Sequence, residues 1–140
     1  MITKELYKTI IKELPIICID LIVKCKSSKK ILLLKRNNEP LLGEFWVPGG
    51  RLLIGESVID GLHRKLLEET GVATASDFNY VGFYEGHFEC SAFGSHIYHT
   101  VSLVFDCEID TNEKIILDSQ SSQYVWSDIL PRDFIIKGRV

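Results

Sequence analysis

Residues 47 to 72, VPGGRLLIGESVIDGLHRKLLEETGV, gather the side chains best suited to hold a cation. Gly49 and Gly50 leave backbone carbonyls uncovered, Glu56 follows them, and Arg64, Lys65, Glu68 and Glu69 crowd one part of a helical pattern. At about 100° per residue these four charges share an arc of roughly 140°, beside an apolar side made of Ile59, Leu62 and Leu66. Carboxylates and carbonyls converging on one point form the oxygen shell that a hard divalent cation such as Mg²⁺ takes, completed by water and phosphate oxygens. A purely structural reading competes: Arg64 with Glu68 and Lys65 with Glu69 are spaced four apart, and exposed pairs of that kind contribute only about 0.3 to 0.5 kcal/mol. The glycine loop in front of the helix favours the metal, with Arg64 orienting a carboxylate.

The elements that hold these residues follow from local pattern. Ser57 with Asp60 three residues later resembles a capping box, and Gly71 is a natural C-cap, so the helix runs from near Ser57 to Gly71. Gly61 inside it costs about 1 kcal/mol against alanine and is expected to allow close packing on a strand. Ahead of it, PIICIDLIVK reads as a strand covered on both faces, with Asp20 as its one interior charge. KSSKK turns that strand into ILLLKR, NNEPLLGE is loop, and FWVPGG is a short strand stopped by Pro48. NYVGFYEGHFE and HIYHTVSLVFDCEI read as strands around the loop CSAFGS, and SQYVWS as a short strand before a final helical stretch, DILPRDFII. Over residues 2 to 14, Ile2, Leu6, Ile10 and Leu14 recur every four residues and predict an amphipathic helix. Strands with one central helix and a helix at each end imply a mixed sheet between helical layers.

Composition sets the remaining bounds. A chain of 140 residues that is 46% hydrophobic has room for a core and reads as one domain over residues 1–140. A formal charge of -3 offers no basic field for nucleic acid or an anionic membrane surface, so a polyanionic ligand needs a metal ion. Cys18, Cys25, Cys90 and Cys107 lack any C-x-x-C pair and read as free thiols, three of them in apolar or alternating strands. No signal peptide and no stretch of about 20 apolar residues is evident, which points to a cytoplasmic protein.

On these residues the chain resembles the Nudix hydrolases. Their box, Gly-x5-Glu-x7-Arg-Glu-U-x-Glu-Glu-x-Gly-U with U aliphatic, is matched over 50 to 72 by Gly50, Glu56, Arg64, Leu66, Glu68, Glu69, Gly71 and Val72. Lys65 stands at the first glutamate of the Arg-Glu pair. The resemblance implies an α/β Nudix fold, an α/β/α sandwich with a mixed β-sheet. Within that superfamily the chain is most similar to the GDP-mannose mannosyl hydrolases. The likeness rests on the N-terminal helix, Asp20, KRNNEP from Lys35 to Pro40, VPGGR from Val47 to Arg51, GHF with His87, His99, and Gln120 ahead of Tyr124 and Trp126.

That resemblance implies attack by water on the anomeric carbon of GDP-mannose, releasing GDP and mannose with inversion. It implies Mg²⁺, with Mn²⁺ as an alternative, on the Gly50 carbonyl, Glu69 and Gln120, with Glu68 as a further ligand or a base. Arg36, Arg51 and Arg64 are expected near the diphosphate, Lys35 and His99 as further substrate contacts, and Asp20 beside the sugar or the water. A nucleotide-sugar substrate, a homodimer, and neither nucleic acid nor membrane as partner complete the expectation. Ser121 occupies the family's general-base histidine position and Thr100 a tyrosine position, so the base is sought among His87 and His99, by their ordinary pKa range. His63 and His96 read as surface residues. Trp46, Phe45 and Tyr84 are core aromatics or a guanine stack. Two alternatives remain open: attack at phosphorus of another nucleoside diphosphate derivative, and nucleotide-sugar binding without turnover.

Overall fold

The run IICIDLIVKC forms strand β1 (Ile16–Cys25), whose alternating residues build two separate interiors. Ile19, Leu21 and Val23 face one side and pack with Leu62 and Leu66, while Ile22 joins a second cluster with Leu33, Trp46, Val104 and Phe134. Ile16 and Cys18 lie on that second face nearer the N-terminus, against Ile11. The computed structural model describes residues 2–140. It contains α1 (Lys4–Glu13), β1, β2 (Ile31–Arg36), β3 (Phe45–Trp46), β4 (Gly49–Arg51), α2 (Val58–Thr70), β5 (Asn79–Ser91), β6 (Gly94–Ile109) and β7 (Ser121–Ser127). Helix α2 covers the first face and α1 the second, so the sheet lies between helices as the α/β Nudix resemblance implies.

The sheet is mixed. β1 runs parallel to β6 along its whole length, from Ile16↔Thr100 to Cys25↔Ile109, and every other pairing is antiparallel. Strand order is β3-β2-β1-β6-β5, with β4 also on β1 and β7 on β2. On its second edge β1 has two partners. β2 touches it only at Lys24↔Ile31, and β4 takes the positions from Cys18 to Asp20. β2 and β4 therefore diverge, and the end of β2 at Arg36 stands apart from the glycine strand with a depression between them.

Both caps of α2 form as the sequence predicts: Ser57 Oγ accepts the Asp60 N–H at 3.0 Å, and Gly71 ends the helix in the left-handed region at φ 76°. Four expectations change. Ile59 is 45% exposed, because the buried side of α2 is centred on Leu62 and Glu69. In α1 the covered residues are Tyr7, Ile10 and Ile11, while Leu6 and Leu14 are 49% and 59% exposed. A strict four-residue repeat advances about 400°, so it drifts across a helix of 3.6 residues per turn. The third change is at the C-terminus, where residues 128 to 136 form turns and no helix. Pro131 cannot donate an intrahelical hydrogen bond. Instead, Phe134 is buried beside Trp46 and Lys137 exchanges two backbone hydrogen bonds with Phe83, which lays the chain end along β5. The loop expected over 90 to 95 shrinks to the pair Ala92–Phe93, the strands continuing on either side.

Candidate functional site

Strand β4 places Arg51, Gly50 and Gly49 opposite Cys18, Ile19 and Asp20. Two carboxylates close on this glycine strand. Glu69, 6% exposed, comes from α2, and its Oε2 accepts the Gly49 N–H at 2.9 Å. Asp20, 7% exposed, comes from β1 and lies so near that a Cβ on Gly49 would sit 2.0 Å from its Oδ1 and 2.5 Å from the Ile19 carbonyl. Only glycine admits that approach.

Each acid is perturbed by its surroundings. Burial pushes Asp20 up to about 7, partly opposed by a hydrogen bond from Ser102 and reinforced by the charge of Glu69. Burial also raises Glu69, against the pull of Lys65 and of the Gly49 N–H. The Lys65 ammonium lies 3.4 Å from Glu69 Oε2, and a Cβ on Gly50 would be 3.1 Å from that nitrogen. Its side chain is only 13% exposed. Cys18, beside Asp20, is pushed up to about 12 by burial and stays a thiol.

Arg64 does what its place in the box suggests. Its guanidinium donates to Glu56 at 3.0 and 2.7 Å, to Glu68 at 2.9 Å and to the Arg51 carbonyl at 3.1 Å. The hydrogen bonds from Arg64 hold Glu56 below the usual carboxylate range, and Glu56 in turn accepts the Leu53 N–H at 2.8 Å. Arg64 thereby ties helix, loop and glycine strand together and orients both acids, while itself lining the wider cleft.

Two connected hollows open here. A narrow one of about 110 Å³ is floored by Cys18, Asp20 and Ser102 and walled by Arg36, Tyr84, Tyr98 and Thr100. It shares Arg36, Gly49, Gly50, Arg51 and Tyr98 with a wider cleft of about 700 Å³ that reaches Tyr7, Lys65, Glu68 and Gln120. Such a volume suits a nucleotide-sized ligand. Arg36 is steadied by its Nε bond to the Pro40 carbonyl at 2.7 Å, and the Arg51 guanidinium lies 4.5 Å above the Tyr7 ring of α1. The cleft therefore has a cationic rim.

Of the residues singled out in the sequence, Asp20, Arg36, Gly50, Arg51, Glu68 and Gln120 meet in these hollows. Glu69 lies behind Lys65, which lines the cleft in its stead. Three residues are not brought in. Lys35 faces away because it alternates with Arg36 along β2. His87 and His99 are opposite each other across β5 and β6, one residue out of phase with the cleft-facing Tyr84, Thr100 and Ser102. The base role expected of His87 and the substrate contact expected of His99 thus have no footing in this cleft. Their rings stack at 4.5 Å, and with Glu85 they offer ligand atoms within 4.8 Å of one another. Glu85 is also paired with Lys137 at 3.2 Å. Trp46 and Tyr84 are core residues packed on Phe134 that reach the narrow hollow with one edge. His63 is exposed, but His96 is half-buried, held by Ser91 Oγ at 2.7 Å and the Ile97 carbonyl at 2.8 Å.

Tyr7, Tyr98 and Ser102 escaped the sequence reading. Polar alternation along HIYHTVSLVF was the available signal, since Tyr98, Thr100 and Ser102 share one face with Asp20. For a divalent ion, the carboxylates of Glu68 and Glu69, the Gln120 amide and the Gly50 carbonyl are donors of the right hard-oxygen type. The Lys65 ammonium would compete with such an ion for Glu69.

Comparison with known proteins agrees with this geometry. The sequence model for the NUDIX domain matches residues 19–129. The low-salt glycan biosynthesis protein Agl8 of Haloferax volcanii is 30% identical over 118 residues, covering 84% of this chain and 73% of that one. An ADP-ribose pyrophosphatase of Methanocaldococcus jannaschii is 41% identical over 58 residues, 41% of this chain and 33% of that one. The crystal structure of a MutT protein from Methanosarcina mazei superposes with a TM-score of 0.68 at 23% identity, over 87% of this chain and 89% of that one.

Proposed function

Since the chain belongs to the Nudix family, whose hydrolases generally use divalent metals such as Mg²⁺, we propose that it hydrolyses a nucleotide sugar, with GDP-mannose and water giving GDP and mannose. The observation that carries this reading is Asp20: a buried carboxylate raised to about 7, at the floor of a narrow hollow that opens beside Arg36 and Arg51. A base poised near neutrality is what water activation asks for. It also answers the serine at position 121, which cannot accept a proton in that range.

In this mechanism the sugar enters the narrow hollow and the diphosphate lies across the rim. Arg36 and Arg51 donate to phosphate oxygens and offset the negative charge that grows on the leaving group. Asp20 takes a proton from water as the water oxygen bonds to the anomeric carbon; the bond from that carbon to the diphosphate oxygen breaks, and its electron pair leaves with GDP. The Gly50 carbonyl, Glu68, Glu69 and Gln120 would hold a divalent ion, which would supply Lewis acidity to the same leaving group. Arg64 keeps Glu68 and Glu56 in register with the glycine strand. Lys65 lies 3.4 Å from Glu69 and lines the same cleft.

A second reading, attack at phosphorus of another nucleoside diphosphate derivative, is favoured by Glu68, which is retained, exposed at the cleft and oriented by Arg64. Hydrolysis in ¹⁸O water separates the two. Label in mannose beside unlabelled GDP supports the first; label in a nucleoside monophosphate or sugar phosphate supports the second. GDP-mannose binding with no product over long incubation in Mg²⁺ and Mn²⁺ overturns both. A homodimer and a cytoplasmic location belong to the same reading. The dimer is supported by the uncovered apolar side chains of Leu6, Leu14 and Ile17, at 49%, 59% and 58% exposure, and light scattering on the eluting protein tests it.

A further inference from the structure

We infer that Lys65 is a tethered cation of this cleft: its ammonium binds the substrate's diphosphate directly, so that diphosphate binding persists when divalent ions are removed. The inference deepens the hydrolase reading above and rests on it for the identity of the ligand.

Lys65 occurs where the Nudix box has a carboxylate, and four residues before Glu69 on the buried side of α2. A free surface lysine would extend into water. This one bends over the glycine strand instead: a Cβ on Gly50 would come 3.0 Å from Cε and 3.1 Å from Nζ. Gly50 thus leaves the hollow in which the ammonium rests. The ammonium forms an ion pair with Glu69 Oε2 at 3.4 Å. Glu69 has its other contact with the Gly49 N–H and does not line the cleft, whereas Lys65 does. The ammonium is therefore interposed between the buried carboxylate and the space where a ligand sits. Arg36, Arg51 and Arg64 border the same cleft, which with Lys65 makes four positive charges around one volume, against the two carboxylates of Glu39 and Glu68.

A simple stabilising pair would account for the Lys65–Glu69 contact but not for the ammonium's place at the cleft wall. Phosphate oxygens are the usual partners of a lysine so placed, which acts as a compact point charge. Glu69 then serves chiefly to hold the ammonium in position, and a metal ion that takes Glu69 must compete with it.

The test is calorimetric titration of the full chain with inorganic pyrophosphate and with GDP, in EDTA and in Mg²⁺, for the natural protein and for Lys65→Met, Lys65→Arg and Lys65→Glu. The expected result is measurable pyrophosphate binding in EDTA, weakened at least tenfold in Lys65→Met and retained within about threefold in Lys65→Arg. Lys65→Glu is expected to abolish binding in EDTA and to increase Mn²⁺ affinity, read without nucleotide by electron paramagnetic resonance. Thermal melts of each variant identify any that fail to fold, and Lys65→Arg keeps the comparison valid if Lys65→Met does. Pyrophosphate affinity in EDTA that is unchanged in Lys65→Met, or absent in the natural protein while present in Mg²⁺, overturns the inference. Pyrophosphate binding without any preference for GDP instead overturns the nucleotide reading and leaves the lysine's role standing.

Discussion

Asp20 links chemistry to stability through one proton. Its carboxyl titrates near 4 in an unfolded chain and at about 7 in the folded one, because burial disfavours its charged form. The folded state thus holds this proton more tightly. Its contribution to stability is complete below about 4 and is lost as pH rises through about 7, a change on the order of 4 kcal/mol. In the proposed reaction activity runs the other way, since the proton would have to leave before Asp20 could accept one from water. Asp20→Asn is therefore expected to lower kcat about 10²- to 10⁴-fold and to raise Tm relative to the natural protein at pH 8 but not at pH 4. Melting curves and rates across that range check both halves. A rate that rises through pH 7 unchanged in Asp20→Asn would show that another group supplies the base.

At the scale of elements, α2 was the most legible part of the chain and strand faces the least. Ser57 and Gly71 announce the helix ends because capping is a local matter of one side chain and a few backbone groups. The face a strand presents is decided by its neighbours across the sheet. In the strand of His99 polar alternation marks a polar face, but only the pairing with β1 puts Asp20 on that face, and a shift of one residue inverts the assignment of both histidines. Position 65 was visible as a departure from the box, but its bend over Gly50 depends on a strand that packs on the helix only in the fold. Gly61 shows what such packing demands: a Cβ there would meet Ile19 Cδ1 at 2.8 Å and Leu52 Cδ1 at 3.1 Å. Although alanine favours an isolated helix by about 1 kcal/mol, Gly61→Ala is expected to lower Tm, and a rise would mean that Ile19 repacks freely. Helix α1 contributes through Tyr7, whose ring backs Arg51. Removing the ring in Tyr7→Ala is expected to lower kcat/KM several-fold, through kcat as well as KM, because the Arg51 it backs is proposed to meet a charge that grows in the transition state; steady-state kinetics measure the split.

For the whole molecule, the chain end matters as much as the central helix. Edge strands offer unpaired backbone groups to other chains, and here the segment through Lys137 and Val140 bonds to Phe83 and Val81 of β5. Phe134 anchors that segment in the second interior at 4% exposure, in contact with Trp46 and Tyr84. Phe134→Ala is expected to cost about 3 to 5 kcal/mol and to promote aggregation on mild heating, followed by light scattering. Within the sequence this segment read as a helix because its apolar spacing permits one; the edge it covers lies some fifty residues earlier, where local pattern has no reach. No helix of the described residues is long and apolar enough to cross a membrane.

The parting of β2 from β4 along one side of β1 has a further consequence. Because the recess is a seam between strands that share a single sheet, its strand walls are each tied to β1 by backbone hydrogen bonds and have no hinge between them. Ligand capture at this seam is therefore expected to turn side chains and not to swing lobes shut, which spares the ordering free energy of a closure.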